Sequence, residues 1–417
     1  MAGNENYIAA IDIGTTKVST LVGVVKRDDV LEIIGYGTSP CRGIKKGLVV
    51  DVGEATKSIV SSVEIAEKEA KVFIDSAYIG VTGKHISFLS NWSEMVVASP
   101  DKVVKKTDVD RIISMANKFS IPSQYRVIHT LVKQFVIDGE EGIEDPVGLS
   151  AEKLGVELLV IYGSAMPIRN VINSVRGANI EVEDIILEAL ASSEAVLTPE
   201  EKESGVVLLD VGGGTTDVAV YKNNKMVFTY CLPVGGNLIS NDISIGLNIP
   251  FSRAEEIKKK FANADYSLVD NLNKVNVGDI ELDRNKTALS IRLYTIVNSR
   301  VKELLELVKK QIENCGFWYS LPCGLVITGG SSQLKGMLSL ANSIFGMPAR
   351  MGIPVDVEGP FDVVNNPIYS TGVGLLKYAL QLKKAENLNQ FGRRVRRSSG
   401  IMDKFKEFIS KILKNED

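Results

Sequence analysis

Apolar residues along the chain repeat in two rhythms: short runs or every second position, which predict strands, and every third or fourth position, which predict helices. An apolar run ending in Asp12 passes through a glycine turn into a second, β-branched run, and the same order recurs at Asp210. Each reads as a β-hairpin. Strand patterns over His85–Ala98, Arg126–Ile137 and Leu154–Tyr162, with a helical pattern over Thr107–Ile121, predict a small α+β unit between about His85 and Ser164. Further helices are expected at Pro167–Ala178, from near Ser252 and at about Asn285–Asn314. The last apolar stripe is Ile401, Met402, Phe405, Phe408, Ile409, Ile412 and Leu413, whose spacing puts all of them on one face of a helix.

Composition narrows the class. The chain has 417 residues, a net charge of −3, 45% hydrophobic and 24% charged residues, the usage of an ordinary globular protein of roughly two to four units. That balance gives no reason to expect nucleic acid. Cys41, Cys231, Cys315 and Cys323 form no C-x-x-C pair, which argues against a zinc knuckle or disulfide framework and for a reducing compartment. The start lacks a basic segment followed by a long apolar one, and no run reaches the length of a membrane span, so a cytoplasmic protein is expected. His85 and His129 both sit in strand-like stretches and read as structural, leaving little for histidine metal sites or Ser-His-Asp chemistry.

Charge is concentrated at one place. From Arg393 to Lys414 there are eight basic and two acidic residues, a local +6 that coincides with the final apolar stripe. A polar linker from about Gln381 followed by a basic amphipathic helix is the pattern of a segment that lies in the interface of an anionic membrane. The arginine cluster lacks the aromatic interleaving that nucleic-acid binding would favour.

The two hairpins carry the candidate chemistry. Gly14 in one, and Gly212, Gly213 and Gly214 in the other, let backbone N–H groups point at an anion, and Thr15, Thr16, Thr215 and Thr216 add hydroxyl donors. Asp12 and Asp210 would repel a phosphate alone, but they suit magnesium held through its waters. Two such hairpins facing each other would clamp a polyphosphate. There is no G-x-x-x-x-G-K-[ST], and no G-x-G-x-x-G between a strand and a helix, so neither a P-loop nor a dinucleotide fold is indicated. A third element, Gly324–Lys335, runs from a buried strand through Gly329-Gly330 into a helix start. Its glycines would let backbone lie flat on a purine while Ser331 or Ser332 caps the helix and contacts base or sugar.

Phosphate hairpin, second hairpin and strand-Gly-Gly loop, in that order, resemble the actin, sugar-kinase and chaperone ATPase superfamily. The Ile185–Leu197 and Pro367–Leu376 segments look like its connecting helices, with small residues Ala189, Ala191, Ser192, Gly372 and Gly374 allowing a close crossing. Within it, Leu190-Ala-Ser-Ser193, the insertion and the tail resemble the FtsA family of actin-like bacterial cell-division proteins. The resemblance implies an α/β, actin-like (ribonuclease H-like) duplicated two-lobed fold with an inserted α+β subdomain and a C-terminal amphipathic helix. Its parts would be subdomain 1A at 1–84 and 165–204, 1C at 85–164, 2A at 205–231 and 317–380, 2B at 232–316, a linker at 381–400 and a membrane helix at 401–414.

The same resemblance implies ATP and Mg2+ as cofactors. Lys17 would reach the phosphates, Glu255 and Lys258 the ribose, and Glu188 the attacking water, with Asp12 and Asp210 supporting at most a weak ATPase. An exposed ion pair is the plain alternative for Glu255 and Lys258, as a solvated helix position is for Glu188. Arg300 would face the C-terminal tail of the ring protein FtsZ. Other implied partners are the chain itself in filaments, the anionic inner leaflet at the division site, and further division proteins through 1C. Two rivals share the fold: a small-molecule kinase, which does not explain the tail, and the actin-like platform protein of type IV pili, which does not call for a membrane helix of its own.

Overall fold

A computed structural model of the chain describes residues 7–26, 30–265, 286–316, 318 and 321–393. The leading hairpin pairs Tyr7–Ile13 with Lys17–Val25, and both strands are buried over most of their length, so they read as apolar runs rather than alternations. Leu31–Pro40 extends the sheet on the outer side, ending at the short Val357–Glu358, while Ser76–Val81 and Glu181–Leu187 add in parallel on the other. Helix Val52–Ala70 covers this sheet with Ala55, Ile59, Val63 and Ala66 turned inward. Asp51 caps its start, accepting from Glu54 N at 3.0 Å.

A second lobe repeats the plan. Val206–Val211, Thr216–Lys222 and Lys225–Leu232 are antiparallel, and Leu325–Thr328 and Ala349–Met351 add in parallel beside the first of them. Long helix Lys286–Asn314 buries Leu293, Val297, Val301, Leu304, Val308 and Ile312 in the second lobe's core. Between the lobes pack helices Glu188–Val196 and Ser370–Arg393. Gly374 lies on the backbone of Ala191, where any Cβ would overlap the carbonyl. The close crossing expected of the small residues is therefore real.

The insertion forms its own four-stranded antiparallel sheet, in the order Ile86–Val96, Lys153–Ser164, Tyr125–Ile137 and Glu140–Ile143, with helix Lys106–Ala116 on one face. Glu140–Ile143, a largely exposed edge strand, carries too little apolar pattern to be expected from sequence. The helix stops at Ala116, five residues short of the expected end and just before the Ile121-Pro122 step that disfavours helix.

Three other boundaries move for tertiary reasons. Ile185–Leu187 belong to a strand, because their side chains are buried and their backbone pairs with Ile79–Val81; the helix begins at Glu188. Pro367–Tyr369 form a 3-10 turn, held by the Asn366 side chain on Ile368 N at 3.1 Å, and the helix starts at Ser370. That helix runs through Arg393, so the first part of the expected linker is helical, as its Lys, Glu, Gln and Leu content allows. Residues 394–417, with the whole expected membrane helix, lie outside the described residues.

Candidate functional site

The hairpins have equal lengths but different tips. Asp12 lies opposite Ser19 and Asp210 opposite Asp217, and in that register Thr15 and Thr16 fall where the second hairpin has Gly213 and Gly214. The hairpin is thus repeated as expected, but the two Thr-Thr pairs are not equivalent within it. Thr216 is already inside its strand, and its hydroxyl donates to Val234 O at 2.8 Å. The glycines make room for the opposing threonines. A Cβ at Gly213 would come within 2.5 Å of Thr16 Cγ2, and one at Gly214 within 2.9 Å of Thr15 Cβ. The tips therefore meet face to face, one from each lobe.

Around the second tip, three segments distant in sequence converge. Gly236 N and Asn237 N, opening helix Gly236–Leu247, donate to Gly212 O and Gly213 O at 2.9 and 2.8 Å. Ser331 Oγ donates to the same Gly212 O at 3.1 Å, and Lys258 Nζ to Gly236 O at 3.1 Å. Lys258 also pairs with Glu255 at 2.7 Å, and Glu255 accepts from Ser240. Both side chains are largely buried, so this is not a loose surface pair. Gly329 has φ of 82°, and a Cβ there would run into Asp210 Oδ1. After it comes a single 3-10 turn, Gly330–Gln333, and the helix waits until Met337, so Ser331 caps no α-helix.

Four carboxylates share the floor between the lobes. Asp12, Asp210, Asp217 and Glu188 are all buried, and Glu188 lies against Gly80, whose missing Cβ leaves it space. Asp210 accepts from Ser192 Oγ at 2.5 Å and Thr371 Oγ1 at 3.0 Å, which fastens the second hairpin to both connecting helices. Asp217 accepts from Thr82 Oγ1 at the end of the first lobe's strand Ser76–Val81. Burial pushes Asp12 up to about 6, helped by Asp210 and opposed by Lys17, and pushes Asp217 up to about 7. Glu188 is raised well above its ordinary value by burial and then by Asp12, Asp217 and Asp210. Lys17 Nζ donates to Ser19 Oγ at 2.5 Å and stands 4.3 Å over the Tyr369 ring, its pKa drawn down to about 8 by burial against the pull of Asp12 and Asp210.

Asp217 and Thr82 were not among the residues expected from sequence. The signal for Asp217 was present: seven residues after the leading aspartate, it is the cross-strand partner on the same face, as Ser19 is of Asp12. Thr82 carried none, since only the tertiary fold brings it there. Arg300 stands apart, on helix Lys286–Asn314, with Asp242 and Glu303 each at 2.5 Å balancing its charge. His129 Nε2 accepts from Leu187 N at 3.0 Å, a structural contact as expected, while His85 has no partner for either ring nitrogen among the described residues.

Comparison with known proteins matches residues 207–374 to the family model "Cell division protein FtsA" and residues 83–162 to "SHS2 domain inserted in FTSA". Cell division protein FtsA of Pseudomonas aeruginosa is 42% identical over 375 residues, covering 90% of this chain and 89% of that protein. The chain belongs to the FtsA family. The FtsA of Bacillus subtilis is 35% identical over 379 residues, 91% of this chain and 84% of the relative.

Solved structures place the FtsA-family fold among the actin-like ones. A PilM-PilN type IV pilus biogenesis complex covers 90% of this chain and 99% of its own at a TM-score of 0.64 and 14% identity. MreB 5 of Spiroplasma citri, solved bound to AMPPNP, covers 93% and 99% at 0.51 and 13%. These likenesses establish the fold, the family model over residues 83–162 establishes the inserted domain, and the family makes this an actin-like cell-division protein. Among the described residues, no helix is long and apolar enough to cross a membrane.

Proposed function

We propose that this FtsA-family chain binds ATP with Mg2+ between its two hairpins, polymerises on the inner face of the cytoplasmic membrane and tethers the FtsZ ring. The observation that carries the nucleotide site is the meeting of the two tips over a floor of buried carboxylates. Backbone N–H groups of Gly14, Gly213 and Gly214, with Thr15, Thr16 and Thr215, would receive the phosphates, while the Gly212 N–H closes the hairpin on Thr215 O at 3.0 Å. Gly329, Gly330 and Ser331 would flank the adenosine, and Glu255 and Lys258 its ribose.

The donor set fits a divalent cation. Four buried acids face one lysine; burial raises every carboxylate pKa in the cluster, neighbouring acids raise Asp12, Asp217 and Glu188 further, and a cation would relieve that cost. Among the described residues no three His, Cys, Asp or Glu side chains sit close enough to hold a metal alone. Asp12 and Asp210 would accordingly act on Mg2+ through its waters, with phosphate oxygens completing the coordination. Bound Mg·ATP supplies the phosphoanhydride and the charge shield; the protein supplies placement. Glu188, beside Gly80 at the start of its helix, is the residue to orient a water, and binding and scaffolding come first.

Assembly and attachment rest on the family and the tail. Ile401, Met402, Phe405, Phe408, Ile409, Ile412 and Leu413 would insert together, giving on the order of 5–10 kcal/mol before ordering costs, with basic neighbours adding about 1 kcal/mol each on anionic lipid. Ordering the segment offsets most of that, so one anchor is reversible and a filament of anchors is not. The 2B region around Arg300 is the proposed seat for the FtsZ tail, and the inserted domain that for other division proteins.

The test is equilibrium binding to protein stripped of nucleotide. Adenine nucleotide affinity should require magnesium and fall at least about 100-fold, roughly 3 kcal/mol, in Asp12→Ala and Asp210→Ala. Magnesium-independent binding, or binding unchanged in both variants, defeats the assignment.

A further inference from the structure

The inserted domain touches the proposed phosphate site more directly than its separate sheet suggests. Strand Ser76–Val81 ends beneath Glu188 at Gly80 and holds Asp217 through Thr82; the insert begins at the next residue, Gly83. Gly83 has φ of 131°, and a Cβ there would meet His85 Nδ1 at 2.9 Å, so entry to the insert is fixed by a bend suited to glycine. The exit is fastened to the entry: Ser164 N donates to His85 O at 3.3 Å, and Gly163 lies in register with Ile86.

Two further contacts run from the insert to the lobes. His129, on the insert strand Tyr125–Ile137, accepts from Leu187 N, the residue immediately before Glu188. Phe88, on Ile86–Val96, packs against the cores of both lobes and meets Phe228 edge to face, ring centres 5.3 Å apart. The insert thus hangs from the first lobe by its neck, next to the Thr82 that holds Asp217, leans on the second lobe through Phe88, and holds the neighbour of Glu188 through His129. A shift of either hairpin relative to the other must either break these contacts or carry the insert along.

We propose that Thr82 and His129 are positioning residues that tie the placement of the inserted domain to occupancy of the phosphate site. This rests on the nucleotide reading above and deepens it. Thr82 reports on Asp217 and the second hairpin; His129 reports on the start of the Glu188 helix. Because equilibrium coupling is reciprocal, a partner that fixes the insert changes nucleotide affinity by the factor with which nucleotide fixes the insert.

Hydrogen–deuterium exchange on the full chain, with and without Mg·AMPPNP, tests this beside a direct binding titration. In the parent protein the analogue should slow exchange across Ile86–Val96 and Tyr125–Ile137 by about tenfold, a coupling of ordinary size. Thr82→Val removes the donor without changing side-chain shape. At saturating analogue it should keep protection at the hairpins and lose it in the insert strands, whereas Thr82→Ser restores it. His129→Leu should behave as Thr82→Val does, and decides the matter if that variant fails to fold. Insert protection that persists in the variant, or that is absent from a parent which binds the analogue, overturns this inference alone. A parent that binds no nucleotide overturns the site with it.

Discussion

At the scale of single residues, the sequence identifies chemistry through spacing but not through surroundings. Asp12 and Asp210 were legible as strand-end carboxylates beside glycine turns, and Gly329-Gly330 as a turn where a strand stops. Burial of Glu188 was not, because Glu-Ala-Leu reads equally well as a solvated helix; what decides it is Gly80 on another strand leaving the side chain a place. His129 shows the energetic side of such placement. Burial lowers its pKa from 6.5 to about 4, so below 6.5 the unfolded chain takes up a proton that the folded chain refuses. The His129 contribution to stability is therefore full above pH 6.5 and is lost as pH falls toward 4, by up to about 3 kcal/mol, while Asp12 and Asp217, raised to about 6 and about 7, act in the opposite sense over the same window. His129→Gln, which keeps an acceptor for Leu187 N, should flatten that part of the curve in denaturation midpoints measured from pH 7 to 4. Equal slopes in parent and variant would contradict it.

At the scale of elements, hairpins, amphipathic helices and the inserted unit were legible because their patterns are local. Boundaries were not, wherever pairing with a distant strand overrode helix propensity, as at Ile185–Leu187, or where strong helix formers prolonged an element, as beyond Gln381. The crossing of the connecting helices is the element contact most exposed to a single change. Gly374→Ala places a methyl against the Ala191 carbonyl and should cost about 1–3 kcal/mol by forcing the helices apart. Chemical denaturation reads the loss. Because Ser192 and Thr371 on these helices hold Asp210, nucleotide affinity should weaken in the same variant, while Gly53→Ala, where a Cβ would make only an ordinary contact at 3.5 Å, should leave affinity unchanged.

At the scale of the whole molecule, the two lobes repeat one plan and the insert packs on both of them. Net charge is −3 overall but +6 from Arg393 to Lys414, so attraction to an anionic surface belongs to one end of the chain. A chain ending at Gln390 should fold and bind nucleotide as the parent does, yet no longer float with liposomes containing anionic lipid. Flotation that survives the truncation would move the attachment elsewhere. With the full chain, flotation should strengthen when ATP is present and weaken with salt, as screening of the basic segment requires.

Sequence by itself determined the repeated hairpins, the absence of other phosphate loops, the inserted unit and the amphipathic end, because each is written in neighbouring residues through periodicity, turn chemistry and charge. Tertiary structure alone decided that Thr15 and Thr16 sit on Gly213 and Gly214, that Asp217 and Glu188 join the acidic floor, and that Thr82 and His129 lead from that floor into the insert. Those facts depend on which buried surfaces meet, and packing between segments 58 or more residues apart leaves no periodic trace in either of them.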